Sequence, residues 1–201
     1  RCLIRLIEPS FGAIRFDGAD ITRFTLPQLR AFRRQAASMV FQNFALLPHK
    51  SVLDNAAFGL TLKGVGRREA EARAAQWLGK LGLAGYERAR PAALSGGMRQ
   101  RVGLARALAC DPDVLLMDEA FSALDPLIRA DLQDELLDLQ RELGKTVIFV
   151  THDLGEALRL GNRIAVMRDG RLEQFAAPDE LLAKPATDYV ARFVGQVEAG
   201  R

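Results

Sequence analysis

The stretch Ala93-Leu-Ser-Gly-Gly-Met-Arg-Gln-Arg-Val-Gly-Leu-Ala-Arg106, followed closely by Val114-Leu-Leu-Met-Asp-Glu-Ala-Phe-Ser-Ala-Leu-Asp-Pro126, decides the fold. A serine and two glycines open a helix. An apolar run short enough to be a buried strand then ends in two consecutive acids. In an open parallel sheet, ligands bind at the carboxyl ends of the strands, so Asp118 and Glu119 are expected to face a crevice. Serine caps a helix N-terminus, and the first N–H groups together with the helix dipole favour an anion there. The pair of motifs is the layout of a site that hydrolyses a nucleotide. Yet the chain nowhere contains G-x-x-x-x-G-K-[ST], the loop that wraps phosphates in such sites.

Working outward, strands alternate with helices. Ser38 to Gln42 reads as a buried strand, and Val114 to Met117 and Thr146 to Val150 are near-continuous apolar runs. Such runs are expected of strands covered by helices on both faces. Helices are expected from about Leu26 to Phe32, from Ser95 to about Ala109, over Pro126 to Leu143 and over Leu154 to Leu160. Between about Leu53 and Pro91 the signal is almost wholly helical (Val52 to Leu62, Arg67 to Leu81), with breaks at Gly64, Gly66 and Gly82. The expected fold is therefore α/β: a parallel sheet core flanked by helices, with an α-helical insertion. A short strand runs into the Asp17-Gly18 turn, a strand at Arg163 to Met167 leads to a hairpin at Asp169-Gly170, and a helical tail starts at Pro178.

Arg1 to Glu8 reads as the tail of a helix, with Leu3, Ile4, Leu6 and Ile7 on a helical period. A chain that starts inside a helix and without methionine is expected to be a piece of a longer protein. Its 201 residues, 49% apolar and 26% charged, fit one soluble domain. The net charge of +3 comes from 28 basic groups scattered among 25 acids, with no dense cationic block, so nucleic acid is not an expected partner. Cys2 and Cys110 match no metal spacing and are expected to be idle thiols. No apolar run approaches the ~20 residues that span a bilayer. A role at a membrane would then need other subunits.

Further candidates lie at strand ends. His152 follows the strand that ends at Val150 and could donate to a phosphate oxygen or orient a water. Gln42 ends the first buried strand and could ligate Mg²⁺ through its side-chain oxygen, as Asp118 could through water. His49, between Pro48 and Lys50, reads as surface. Gly144-Lys145-Thr146 spells the end of a phosphate loop, but it precedes a strand and position 139 is Leu, so it is a helix C-cap.

Taken together, these residues closely resemble the ATP-binding subunit of ABC transporters. Leu94-Ser95-Gly96-Gly97 with Met98-Arg99-Gln100-Arg101 is similar to that family's signature, and Leu115 to Glu119 to its Walker B strand. Ser122-Ala123-Leu124-Asp125 is similar to its D-loop, Gln42 falls at its Q-loop glutamine, and His152 at its switch histidine. Met98, with Met117 through Arg129 and Arg1 through Pro9, narrows the resemblance to the glycine betaine/proline importer ATPases. The resemblance implies a P-loop NTPase-like nucleotide-binding domain over residues 1–201, incomplete at its N-terminus, lacking the first strand and P-loop. A helical subdomain over about 53–110 would include the signature.

The same resemblance implies two subunits head to tail, sandwiching ATP between the P-loop of one and Ser95, Gly96 and Gly97 of the other. Asp118 and Gln42 would hold Mg²⁺, Glu119 would be the general base, and His152 would stabilise the γ-phosphate and the attacking water. Asp125 would carry contact across the dimer. Implied partners are a second ATPase subunit, transmembrane permease subunits and, indirectly, a periplasmic or lipid-anchored solute-binding protein, with the subunit peripheral at the cytoplasmic face of the membrane. Two alternatives stay open: an ABC-type ATPase that serves no transporter, and a P-loop-less partner that lends its signature to an intact subunit. Intact Glu119 and His152 speak against the second.

Because the phosphate-wrapping loop is absent from these 201 residues, the chain by itself is expected to bind ATP very weakly and not to turn it over. Calorimetric titration with ATP checks this. Saturable submillimolar binding would contradict it.

Overall fold

The computed structural model describes residues 1–122 and 124–198. The chain forms two compact units, Arg1–Ile148 and Phe149–Arg201. The first holds a small antiparallel hairpin, β1 (Arg15–Phe16) and β2 (Ala19–Asp20), then α1 (Leu26–Gln35) and β3 (Ala37–Val40). After these come α2 (Val52–Leu62), α3 (Arg67–Lys80), α4 (Gly96–Ala109), β4 (Val114–Asp118) and α5 (Pro126–Leu143), and then β5 (Thr146–Val150) begins.

The sheet that matters for function has the order β3-β4-β5. Strands β3 and β4 run parallel, with Ala37 opposite Val114 and Val40 opposite Met117, so their carboxyl ends lie side by side. Leu115, Leu116 and Met117 of β4 are all buried, as a strand covered on both faces requires. Ile4, Ala37 and Leu116, with Phe32 of α1 behind them, form one of the core clusters beside the sheet. The fold is α/β, with helices against a parallel sheet.

Helix ends are closed by local capping chemistry. Ser51 caps α2 by accepting from the Asp54 N–H at 3.0 Å, while Asp54 accepts from the Ser51 N–H at 3.2 Å. Gly144 closes α5 in the left-handed conformation (φ 59°), so Gly144-Lys145-Thr146 is a cap and not a phosphate loop. Lys145 instead pairs with Asp111 at 2.9 Å. Helices α2, α3 and α4 pack on one another as a block.

Two expectations are corrected. The segment Arg1 to Glu8 is not a helix tail: a 3-10 turn spans only Cys2–Ile4, and Arg5 leaves it with φ 50°. The Arg33 guanidinium donates to the carbonyls of Ile4 and Arg5, while Arg5 donates to the Ile21 and Phe24 oxygens at 2.9 Å each. These contacts replace helical bonding, so only Ile4 of the expected apolar stripe is buried. The second correction concerns β5, whose apolar run predicts burial on both faces. It is one of the two outer strands of the sheet, and its exposed Thr146, Ile148 and Val150 alternate with half-buried neighbours, so one face of the strand is left open.

The second unit packs α6 (Leu154–Leu160), the hairpin β6 (Ile164–Arg168) and β7 (Arg171–Ala176), α7 (Pro178–Ala183) and α8 (Asp188–Glu198). Its core is Leu154, Ile164, Val166, Ala176, Leu181, Val190 and Val194. Asp169 and Gly170, at φ 49° and 75°, make the hairpin turn, the doubly left-handed pair that a two-residue connection favours.

One buried polar residue shapes the loop between β3 and α2. Asn55 is completely buried; it accepts from the Leu47 N–H at 2.7 Å and donates to the oxygens of Leu47, Lys50 and Ser51. Asn55→Ala strands those backbone groups and is expected to destabilise the protein by about 3 kcal/mol. A urea midpoint lowered at unchanged slope would show it, and a shift near zero would mean water satisfies the loop.

Candidate functional site

Glu119 follows β4 directly and takes φ 47°, a left-handed conformation unusual for a non-glycine residue. Its backbone oxygen accepts from both the Ser122 N–H at 3.2 Å and the Ser122 hydroxyl at 2.9 Å, which ties the turn. Ala120 and Phe121, both 1% exposed, anchor the turn in the core. The Glu119 carboxylate is thereby aimed at the segment after β3. There the Gln42 side-chain amide donates to Glu119 Oε2 at 3.1 Å.

Gln42 lies two residues past the end of β3, slightly beyond the strand end expected for it, and is exposed. Parallel pairing of β3 with β4 brings it to the same edge as the two acids. Asp118, the last residue of β4, is paired through Oδ2 with Arg1 Nε at 3.1 Å. With Gln42 donating through its nitrogen to Glu119, its side-chain oxygen and the Asp118 carboxylate are the hard oxygen donors offered at this edge. Hard oxygens in small number fit Mg²⁺, which takes one or two carboxylates and keeps several waters. No group of three or more His, Cys, Asp or Glu placed to hold a metal occurs among the described residues. Asp118 and Gln42 are the residues whose oxygens could hold such an ion.

The helix start is built as its sequence implies. Ser95 is the N-cap of α4, and its hydroxyl accepts from the Met98 N–H at 3.2 Å. The first turn of α4 contains no acid, so nothing on the helix itself cancels the positive end of its dipole. Ser95 is exposed and Gly96 half-buried, whereas Gly97 is buried. A Cβ on Gly97 would sit 2.6 Å from Ile128 Cγ2 on α5. Gly97 therefore serves helix packing, a role its sequence did not disclose.

Ile128 also connects this contact to Asp125. Asp125 caps α5 by accepting from the Ile128 N–H at 3.1 Å, and is itself exposed. One residue thus links the cap of α5, through its amide, to the start of α4, through its methyl. Ala123, within the expected D-loop, lies outside the described residues.

His152 belongs to the second unit, in the turn between β5 and α6, and is exposed. The turn is fixed around it. The Thr151 hydroxyl donates to Glu156 at 2.6 Å and accepts from the Asp153 N–H at 3.0 Å, and Asp153 caps α6. His49 is exposed in its loop, as expected.

A methyl at Gly97 is expected to displace Ile128 and lower stability by about 1–3 kcal/mol, the usual cost of overpacking. Ile128→Ala in the same chain would recover part of that loss, an interaction that a double-mutant cycle measures. Additive losses would show that the two residues do not meet.

Known proteins fit this geometry. The family model described as ABC transporter matches residues 1–122. The chain is 56% identical over 201 residues to the glycine betaine transport ATP-binding protein OpuAA of Bacillus subtilis, covering 100% of this chain and 48% of that protein. It is 54% identical over 198 residues to the glycine betaine/proline betaine transport system ATP-binding protein ProV of Salmonella typhimurium, covering 98% of this chain and 50% of that one. The chain thus spans about half the length of these relatives. Among solved structures, it resembles the dimeric post-hydrolysis state of an ATP-binding cassette bound to ADP and Pi. The TM-score there is 0.76 at 33% identity, over 85% of this chain and 75% of that one. With its helix-opening Ser95-Gly96-Gly97, its acids ending β4 and a family match over more than half its residues, the chain belongs to the ABC transporter family.

Proposed function

We propose that this chain is the core of an ATP-hydrolysing subunit that energises import of a small quaternary amine of the glycine betaine or proline betaine kind. The observation that carries the reading is the hydrogen bond between Gln42 and Glu119 at the carboxyl ends of two parallel strands, beside Asp118. The names of the relatives support the solute class, and the ADP- and Pi-bound cassette supports the nucleotide.

On this reading Glu119 is the general base. Its backbone is held by the Ser122 contacts and its carboxylate by Gln42, so it is oriented before any water arrives. Asp118 and Gln42 offer oxygens to Mg²⁺, which when bound neutralises charge on the phosphates. The Arg1 contact on Asp118 is exposed, and exposed pairs of this kind contribute little, so it yields readily. Ser95, Gly96 and Gly97, at the acid-free start of α4, receive phosphate oxygens of a nucleotide held mainly by a second copy of the subunit. Gly97 keeps that helix start seated on Ile128, and Asp125 faces the second copy. His152 donates to phosphate and holds the attacking water. The catalysis is mostly positioning and charge stabilisation.

The helices from about residue 53 to 110 form the subdomain that carries the signature. Among the described residues no helix is long and apolar enough to cross a membrane. On this reading, which the names of the relatives support, the subunit acts peripherally, at the cytoplasmic face, on membrane permease partners supplied by a solute-binding protein.

In the full-length subunit, Glu119→Gln is expected to keep ATP binding and to lower kcat by about 10²–10⁴-fold, the usual worth of a general base. The variant should also favour a closed dimer with ATP, visible by size-exclusion chromatography. Near-normal turnover would move the base elsewhere.

A further inference from the structure

The last basic residue of the signature stretch, Arg106, has no part in that mechanism, yet it is among the most tightly engaged side chains of the first unit. It lies in the last turn of α4, on a helix that is otherwise buried and apolar at this end. Its two terminal nitrogens reach across to the loop after β3: one donates to the Ala45 oxygen and the other to the Phe44 oxygen, both at 2.7 Å. Burial pulls its pKa below the usual guanidinium value, with the nearby Cys110 opposing. Two charge-assisted bonds compensate a partly desolvated cation only if their acceptors stay in place.

Those acceptors belong to an unusual piece of backbone. Phe44 and Ala45 are consecutive non-glycine residues with φ 58° and 45°. Such conformations persist where the surroundings over-determine them. Phe44 is 8% exposed, seated against Gly103 of α4; a Cβ at Gly103 would lie 3.7 Å from the Phe44 oxygen. Gln42 is two residues upstream and bonds Glu119.

The geometry points to Arg106 as the positioning residue that holds the Gln42 segment in register with Glu119 and so joins the signature helix to the hydrolytic acid. It rests on the proposed function for its catalytic consequence. Helix α4 carries Ser95 at one end and Arg106 roughly 16 Å along it. A displacement of α4 when Ser95 takes up a phosphate is thereby passed through two carbonyls to Gln42. The guanidinium fork suits the task, because a lysine offers one point of attachment where two carbonyls must be held.

The test uses the full-length subunit assembled with its membrane partners, comparing Arg106→Met, Arg106→Lys, Gln42→Ala and the double variant Arg106→Met with Gln42→Ala. Arg106→Met is expected to lower kcat about tenfold or more, since small misplacements near the chemistry are costly. The KM for ATP should stay within about threefold, the mark of an interaction that acts on the chemical step. Arg106→Lys should fall between. In the Arg106→Met background, Gln42→Ala should have little further effect, because the two act as one unit. Unchanged kcat, or full multiplicative losses, overturns the proposal.

Should Arg106→Met fail to fold, hydrogen exchange decides in Arg106→Lys. Faster exchange of the amides at 42–47 with unaltered exchange along α4 supports the clamp, and unaltered loop exchange refutes it. An assembled wild-type complex that does not hydrolyse ATP would instead remove the proposed function, and the exchange rates at 42–47 would then decide the role of Arg106 by themselves.

Discussion

Everything at the site depends on one pairing. Strands β3 and β4 run parallel in the register Ala37 to Val114 through Val40 to Met117. A one-residue slip would turn every side chain of β3 to the opposite face. In the observed register, the segment leaving β3 passes the end of β4 just where Asp118 and Glu119 emerge, and Gln42 meets Glu119 at 3.1 Å. The burial of Leu115, Leu116 and Met117 holds β4 in place. Asp118 is therefore presented by a buried strand, and Glu119 by the turn that Ser122 ties directly behind it.

Helix α4 is the second shared element. Its start is shaped by Ser95 as cap and by Gly97 pressed against Ile128, and its finish by Arg106 on the carbonyls of Phe44 and Ala45. A helix buried along most of its length moves as a body, so its two ends are mechanically joined. The loop it grips is secured again further on by Asn55, which bonds Leu47, Lys50 and Ser51. Side chains from α4 and α2 thus define the backbone that runs from β3 into the helical block.

Much of this was legible in the sequence because its signals are local. Ser95 and Gly144 act at helix ends within a few residues of themselves, and α4 begins and α5 ends accordingly. The acids at the end of β4 followed from an apolar run with a polar stop. What was not legible depends on residues distant in the chain. Arg106 and Phe44 are 62 positions apart, and nothing in the local pattern of α4 names its acceptors. That Gly97 also packs against Ile128 could not be read locally, because Ile128 lies on another helix. The apolar period of Arg1 to Glu8 suggested a helix, but Arg33 takes up the carbonyls of Ile4 and Arg5, and the Arg5 side chain ties the segment to Ile21 and Phe24. Ile148 and Val150 looked like core residues and lie exposed on one face of β5, because an apolar run does not disclose which of its faces is covered.

The central claim is that the acids ending β4 in one copy work with the serine opening α4 in another. Mixed dimers of the full-length subunit test it most directly. A dimer with Ser95→Arg in one subunit and Glu119→Gln in the other should keep one competent site and hydrolyse ATP. A dimer with both changes in one subunit and none in its partner should be inactive, because each site then carries a lesion. The reverse pattern, with activity only when both changes share a subunit, would show that Ser95 serves its own Glu119 and would contradict the account.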